Sequence, residues 1–265
     1  MLNKNNATLL ASAVALGLSI YTAINQSSMD TNIGELRELI VVSSGEKSET
    51  SKQDVLVDDV MLKNYIMENP EVIVKSLGKF RFLQEQEAKK EKAERINSFK
   101  DQLYGDLADP VLGNSSGKHV VVEFVDNNCG YCKAMTPVLE EFIKLDPEAK
   151  VIVKEFPIFD TQPSSRYSAL VGTAIWLSSP TKYAEYHKQI MATKNLTNEA
   201  VEGIAKRNGT PIESLQAHME SASEQLQRNN TLAVQLEVTG TPTIFLGQER
   251  LHGGFTAEQL VEKFK

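Results

Sequence analysis

"VDNNCGYCKAM" occupies residues 125–135 and contains Cys129 and Cys132, the only two cysteines among 265 residues. A Cys-x-x-Cys pair can serve as a metal clip, a structural disulfide or a reaction centre. Two cysteines cannot form a disulfide framework, so the stability of the chain must come from a hydrophobic core. The elements around the motif decide between its possible uses.

The motif lies between two segments that are typical of buried strands. "HVVVEFV" (119–125) and "KVIVKEF" (150–156) are short, apolar and β-branched. Between them, apolar residues recur on one helical face: Met135, Val138, Leu139, Phe142 and Ile143. A strand–helix–strand unit of this length predicts two parallel strands joined by a right-handed crossover. Cys129 then follows the first strand and begins the helix.

The position of Cys129 at the start of a helix favours its thiolate. Backbone N–H groups are unpaired there, and the positive end of the helix dipole stabilises negative charge. Cys132 is one turn deeper on the same side, within bonding distance of Cys129. We therefore expect Cys129 to attack a disulfide and Cys132 to resolve the mixed disulfide that forms. The redox-active disulfide Cys129–Cys132 is then the reactive group, and we expect no further cofactor.

Other uses of the two thiols are weaker. A zinc site needs two more ligands, whereas the four histidines are scattered along the chain, so we expect no metal. A structural bridge across so short a loop gains little, because the entropic gain grows with loop length. Cu(I) is harder to dismiss, since two thiolates suffice for this soft ion. A Cu(I)-binding or chaperone-like protein is therefore kept as an alternative.

Two ionisable residues interrupt the apolar strands. Glu123 lies in the first strand and Lys154 in the second. Burying two charges is costly unless they lie near each other or serve a purpose. A carboxylate beneath Cys132 could take the proton of that thiol as it attacks, which is general acid–base catalysis. The alternatives are a buried pair without a chemical role and two edge residues that face water.

The N-terminus predicts export. Residues 7–24, "ATLLASAVALGLSIYTAI", carry no charge and follow Lys4. The segment is long enough to span a bilayer, and we favour a signal anchor over a cleaved signal peptide within residues 1–27. With Lys4 held inside, the rest of the chain enters the periplasm or cell envelope, tethered by residues 7–24, where dithiols can be oxidised. The net charge of −7 argues against a nucleic-acid partner.

Residues 28–108 predict a polar linker followed by helices. Asn69 and Pro70 have the pattern of a helix start, with a cap and a proline at the first position, and this helix should run to about Leu103. A long helix that buries little of itself needs a partner. We therefore expect homo-oligomerisation through residues 55–103. The alternatives are an exposed stalk and a helix folded onto its own domain.

Residues 109–265 have the pattern of one α/β domain. Within it, residues 163–237 are predicted to be mostly helical, and "TPTIFLG" (241–247) returns to strand. Thr256 and Gln259 predict a capping box at the start of the last helix.

Together these motifs resemble the thioredoxin fold. Glu123 lies six residues before Cys129, and Lys154 lies thirty-one residues after Glu123. Thr241 and Pro242 stand in "TGTPTIF", where the family carries its cis-proline loop. "KEFPIF" and the helical insertion are similar to the DsbA-like branch. The preceding helices and "DPVLGN" resemble its exported ScsC-type members, which carry an N-terminal oligomerisation segment.

The resemblance implies a fold class and residue roles. The fold would be α/β, a thioredoxin fold with a helical insertion and a preceding N-terminal helical segment. Cys129 would be the nucleophile and Cys132 the resolving cysteine. Glu123 and Lys154 would form the buried pair that handles protons.

The resemblance also implies where clients bind and which reaction is catalysed. Pro242 would be cis, and the backbone of Thr241 would pair with an extended client chain. Gly130 and Tyr131, with a threonine before the proline, resemble DsbC-type isomerases; strong oxidases of the family carry Pro-His and valine. Losing that histidine removes a stabiliser of the reduced thiolate. We expect an isomerase with exported cysteine-containing clients and a membrane redox partner, and a dithiol oxidase as the alternative.

Overall fold

The computed structural model describes three stretches of the chain: residues 59–159, 162–251 and 254–265. The predicted signal segment, residues 1–27, and the first part of the predicted linker lie outside these stretches. Within them, no helix combines the length and the apolar character that a membrane span requires. The contacts divide the chain into two units between residues 69 and 70.

The first unit contributes one described helix, α1 (Asp59–Glu68). The second unit begins with α2 (Pro70–Ser98) and α3 (Lys100–Tyr104). The predicted helix start at Pro70 is confirmed. The expected continuous helix to Leu103 is interrupted, because Phe99 leaves the helical conformation between α2 and α3.

Most of α2 is exposed, but its end is packed. Six of its large apolar side chains face solvent: Ile73, Val74, Leu77, Phe80, Phe82 and Leu83. Ile96 and Leu103 are instead buried, with Phe99 packed beside them, in the core of the sheet that follows. A boundary at residue 108 therefore cuts through a packed region, and the end of the helical segment belongs to the second unit.

Five strands form one sheet: β1 (Val111–Gly113), β2 (His119–Val125), β3 (Ala149–Glu155), β4 (Thr243–Leu246) and β5 (Glu249–Leu251). Their order is β1-β3-β2-β4-β5, with β2 and β3 parallel and the other neighbours antiparallel. The predicted parallel pair is confirmed, and β3 begins one residue earlier than expected.

The remaining helices surround the sheet: α4 (Gly130–Leu145), α5 (Pro163–Ser178), α6 (Tyr183–Ala192), α7 (Asn198–Arg207), α8 (Ile212–Leu215), α9 (Met219–Gln235) and α10 (Ala257–Glu262). Helix α4 connects β2 to β3, and α5 to α9 form the predicted helical insertion. The capping box of α10 is confirmed, since Thr256 N donates to Gln259 Oε1 at 2.9 Å and Gln259 N donates to Thr256 Oγ1 at 3.3 Å.

Apolar cores cover both faces of the central strands. The front face carries Val121 and Val125 of β2 and packs against α4, α10 and the insertion. The back face carries Val122 and Phe124 and packs against the end of α2, α3 and α9. Because successive strand residues point to opposite faces, any residue of β2 or β3 is assigned to one face by its position.

Candidate active site

Cys129 occupies the N-cap position of α4, at the front edge of β2. Its Sγ lies 3.2 Å from the backbone oxygen of Thr241, and the thiol donates to that carbonyl. A hydrogen bond from the Cys132 thiol lowers the pKa of Cys129 to about 5, although burial acts in the opposite direction. Hydrogen bonds from the backbone N–H groups of Cys132 and Tyr131 act in the same direction as the Cys132 thiol. This shift favours the thiolate of Cys129 at neutral pH, in the direction that its position at the helix start predicts.

Cys132 has the opposite character. Its side chain has no solvent exposure. Burial raises its pKa far above the ordinary range, and the hydrogen bond to Cys129 and the charge of Glu123 add to this effect. Both thiols are buried, with Cys129 4% exposed and Cys132 not exposed, but only Cys129 has a lowered pKa. Cys129 therefore fits the nucleophile of a mixed-disulfide reaction, and Cys132 fits its proton-bearing partner.

Glu123 lies on the front face of β2 and is only 1% exposed. Burial raises its pKa from 4.5 to about 8, and the charge of Cys129 adds to the shift. Its Oε1 has no hydrogen-bond partner in the described part of the chain. A carboxylate that is close to both thiols and titrates near neutral pH fits the expected acceptor for the Cys132 proton.

The expected pairing of Glu123 with Lys154 is wrong. In the parallel ladder Glu123 is opposite Val153, so Lys154, which is opposite Phe124, points to the back face. There Lys154 is completely buried, forms an ion pair with Asp109, and donates to the Gln102 backbone oxygen at 2.6 Å. The residue of β3 that shares the face of Glu123 is Glu155.

The client-binding residues expected from the sequence surround Cys129. The Thr241–Pro242 peptide bond is cis, as expected, and brings the Thr241 backbone to the nucleophile. Gly130 and Tyr131 form the solvent side of the motif, with the Tyr131 side chain 80% exposed. An open backbone segment beside a reactive thiolate can pair with an extended chain.

The sequence analysis missed the role of the three polar residues before Cys129. Asp126 accepts hydrogen bonds from the backbone nitrogens of Ile158 and Phe159, at 2.8 and 3.2 Å. Asn128 Nδ2 donates to the hydroxyls of Ser164 and Ser165, at 2.9 and 3.0 Å. These side chains fasten the cysteine loop to the connection after β3 and to the start of α5. The sequence feature that could have indicated this role is the run of three polar residues, Asp126 to Asn128, directly before Cys129.

A family model described as thioredoxin matches residues 106–264. The chain belongs to the thioredoxin family. Among solved structures of this fold, the catalytic domain of Proteus mirabilis ScsC is 30% identical, with a TM-score of 0.60, covering 64% of this chain and 97% of that one. ScsC of the same organism in a transitional conformation is 27% identical, with a TM-score of 0.59, over 77% of this chain and 93% of that one.

Relatives found by sequence match a similar stretch of this thioredoxin-family chain. Disulfide bond formation protein D of Bacillus subtilis is 25% identical over 152 residues, which are 53% of this chain and 68% of that protein. The Na(+)/H(+) antiporter NhaA 1 of Salinispora arenicola is 24% identical over 155 residues, and the chain spans about a quarter of that protein, 24% of its length.

Proposed function

We propose that this chain is an exported thiol:disulfide oxidoreductase that acts as a protein disulfide isomerase through a mixed disulfide at Cys129. The observation that carries the proposal is the contrast between the two thiols. Cys129 has a pKa lowered to about 5, chiefly by a hydrogen bond from Cys132, whereas burial holds Cys132 protonated. In such a pair the Cys129 thiolate attacks the client, and the protonated Cys132 remains available to resolve the mixed disulfide.

The reaction follows from this contrast. The Cys129 thiolate attacks one sulfur of a client disulfide, so a Cys129–client bond forms and the other client sulfur leaves as a thiolate. If the same client thiolate attacks the client sulfur of the mixed disulfide, the original disulfide re-forms; if a different thiolate of the client attacks it, a new client disulfide forms, Cys129 leaves as a thiolate and the client is isomerised. If Cys132 attacks Cys129 instead, the client leaves reduced, the Cys129–Cys132 disulfide forms, and Glu123 accepts the Cys132 proton.

Two features favour isomerisation over net oxidation. The motif carries Gly130 and Tyr131, with Thr241 before the proline, and so resembles the isomerase pattern. The apolar side chains of α2 are exposed along one helical face at Ile73 and Leu77 and favour self-association. Several active sites around a shared space could hold one misfolded client.

Dithiol oxidation is the second candidate, because one observation favours it. The low pKa of Cys129 stabilises the reduced form, and stabilising the reduced form makes the disulfide a stronger oxidant. Copper binding is weaker, since a two-thiolate site must also ionise Cys132, whose burial opposes this.

The proposal is tested with the full chain and a triple substitution on α2. Ile73, Leu77 and Phe80 are spaced to share one face, whereas Phe82 lies roughly 200° around the helix from Phe80. We expect I73E/L77E/F80E to dissociate the oligomer in light scattering and to lose reactivation of a scrambled client, while dithiol oxidation is kept. F82E is the matched control, and it should change the oligomeric state and the reactivation of the scrambled client less than the triple substitution does.

A strongly oxidising monomer with no reactivation of scrambled clients would contradict the isomerase proposal and support the oxidase. The exported location and clients are tested by trapping. Cys132→Ser should accumulate mixed disulfides with envelope proteins, and Cys129→Ser should not. If neither variant traps any client, the exchange reaction itself is not the function.

A further inference from the structure

Glu155 is a second buried carboxylate on the front face, and the exchange scheme does not yet use it. It ends β3 and is 1% exposed. In the register of β2 and β3, Glu123 is opposite Val153 and Glu155 is opposite Val125. Glu155 is therefore the diagonal neighbour of Glu123 on the same face, within reach of a long side chain.

The surroundings of Glu155 form a built site. The Tyr183 hydroxyl donates to Glu155 Oε1 at 3.0 Å, and Asn127 Nδ2 donates to Glu155 Oε2 at 3.3 Å. Helix α5 approaches this carboxylate through Gly172, where a Cβ would lie 3.4 Å from Glu155 Oε1 and 3.0 Å from the Tyr186 ring. The carboxylate is thus held by two donors in a space that leaves little room for water.

Among the described residues, no cation acts on Glu155, although Lys133 of α4 acts on the neighbouring Asp126 and on Cys129. The groups that act on Glu155 are the carboxylates of Asp126 and Glu123 and the neutral donors Tyr183 and Asn127. His187 accepts from or donates to Tyr183 OH at 3.2 Å, and burial lowers its pKa to about 4, so it is neutral at neutral pH.

Two buried carboxylates without a cation cannot both be charged cheaply. Burial, followed by the neighbouring charges, raises the pKa of Glu155 from 4.5 to about 8, close to that of Glu123. When two such groups interact, their protons leave in two steps that belong to the pair. Below about pH 8 both groups are therefore mostly protonated, and the loss of the first proton makes loss of the second harder.

We propose that Glu155 is a positioning residue for disulfide exchange, which shares its protons with Glu123 and so sets how readily Glu123 ionises beneath Cys132. When Cys132 attacks Cys129, its S–H bond breaks, its proton moves to Glu123, the Cys129–Cys132 bond forms and the client sulfur leaves as a thiolate. A negative charge on Glu155 opposes the ionisation of Glu123, so the charge state of Glu155 sets how readily Glu123 accepts that proton. This inference rests on the proposed exchange reaction but not on the choice between isomerase and oxidase.

The test separates attack from resolution in the reduced full chain. Ellman's reagent reacts with Cys129 to release one thionitrobenzoate, and attack by Cys132 on the adduct releases a second. Stopped-flow absorbance across pH 5–9, a range chosen to bracket the titration of the pair, gives a rate for each phase. The first phase reports Cys129 and the second reports proton transfer from Cys132.

The variant Glu155→Gln removes the charge and keeps the shape. Asn127 Oδ1 has no hydrogen-bond partner among the described residues, so rotation of the Asn127 amide offers the new side chain an acceptor. Without the second carboxylate, Glu123 ionises more easily. We expect the midpoint of the second-phase profile to move to lower pH by about one unit, with the first phase unchanged. Glu155→Asp should return the midpoint toward that of the unaltered protein.

Glu141→Gln, an exposed substitution on α4, is the matched control and should leave both phases unchanged. A folded Glu155→Gln protein whose second-phase midpoint stays in place overturns the inference. If Glu155→Gln does not fold, carboxyl ¹³C NMR of the unaltered protein decides: two glutamates that titrate together support the shared proton, and independent titration overturns it. If the unaltered protein releases no second thionitrobenzoate, the proposed exchange reaction fails instead.

Discussion

The two faces of the central sheet each bury ionisable side chains, and they treat them in opposite ways. On the back face, Lys154 is paired with Asp109, which also accepts from Gln225 at 2.7 Å. On the front face, Glu123 and Glu155 are diagonal neighbours, and no cation of the described residues is among the groups that act on them. On the back face the charge of Lys154 is balanced by Asp109, whereas on the front face the two glutamates are neutral only while they are protonated.

This difference separates a structural charge from a chemical one. The ion pair of Lys154 and Asp109 lies on the face away from both cysteines, so it cannot exchange protons with them. Carboxylates whose pKa values burial raises to about 8 gain and lose protons near neutral pH. The front face, which also carries both cysteines, is therefore where we propose that proton transfer takes place.

The largest effect is expected on catalysis from Glu123→Gln. Removing the acceptor for the Cys132 proton should slow the second thionitrobenzoate phase by about 10²–10⁴-fold, the usual contribution of general acid–base catalysis. The first phase should keep its rate, which serves as the internal control. Equal second-phase rates in the variant and the unaltered protein would show that the front-face carboxylate Glu123 takes no part in the mechanism.

The next effect is expected on stability from Lys154→Met. Removing one partner of a buried ion pair leaves Asp109 charged and unpaired, which costs about 3–5 kcal/mol in the free energy of unfolding. Urea denaturation followed by Trp176 fluorescence measures the loss. Adding Asp109→Leu should recover part of it, because an apolar pair leaves no charge uncompensated.

Lys154→Met also tests the expectation that Lys154 takes part in catalysis. With the protein still folded, both thionitrobenzoate phases should be unchanged, since Lys154 is on the face away from the cysteines. A slower second phase in the variant would show that Lys154 does take part in catalysis.

A third effect is a slope of stability against pH. Glu123 and Glu155 hold protons in the folded protein up to a pKa of about 8, whereas the unfolded chain loses them near 4.5. Their contribution to stability is therefore complete below about pH 4.5 and is lost as pH rises through about 8. The free energy of unfolding of the reduced protein should fall by about 1.4 kcal/mol per pH unit for each carboxylate inside that window.

Urea titrations of the reduced protein at several pH values measure this slope. Glu123→Gln and Glu155→Gln should each remove part of it, and Glu141→Gln on the exposed surface of α4 should leave it in place. A slope that neither front-face variant alters would show that other groups hold the protons.

The smallest effect is expected from an exposed ion pair near the back face. Arg95 of α2 pairs with Glu237, and the two side chains are 39% and 59% exposed. Arg95→Gln should cost less than about 1 kcal/mol, because solvent and salt screen such pairs. Urea denaturation at low and high salt checks this, and a loss as large as that of Lys154→Met would show that burial does not explain the difference.

Much of this arrangement follows from the sequence, but the face of each charged residue does not. The cysteine motif, both central strands and the capping box at Thr256 have local signals. The thirty-one-residue spacing led to Lys154, but spacing does not give register. Since both strands are apolar on both faces, no alternation in "VIVKEF" shows that Lys154 and Glu155 separate as they do.

The polar contacts of the cysteine loop were beyond the sequence for another reason. Asn128 reaches Ser164 and Ser165 across more than thirty residues. Their meeting depends on where the chain returns after β3, which is set by packing rather than by any local pattern.

The way α2 is anchored has a mechanical consequence. At about 1.5 Å per residue, its 29 residues form a rod roughly 43 Å long. Its base is fixed by Ile96 in the back-face core, so the rod and the sheet turn together. A tilt of about 10° at the base moves the far end by roughly 7 Å. We therefore expect that a partner bound to the exposed turns of α2 would fix the orientation of the domain that carries Cys129. Small rotations about the base of α2 would then move Cys129 between different sulfurs of a bound client.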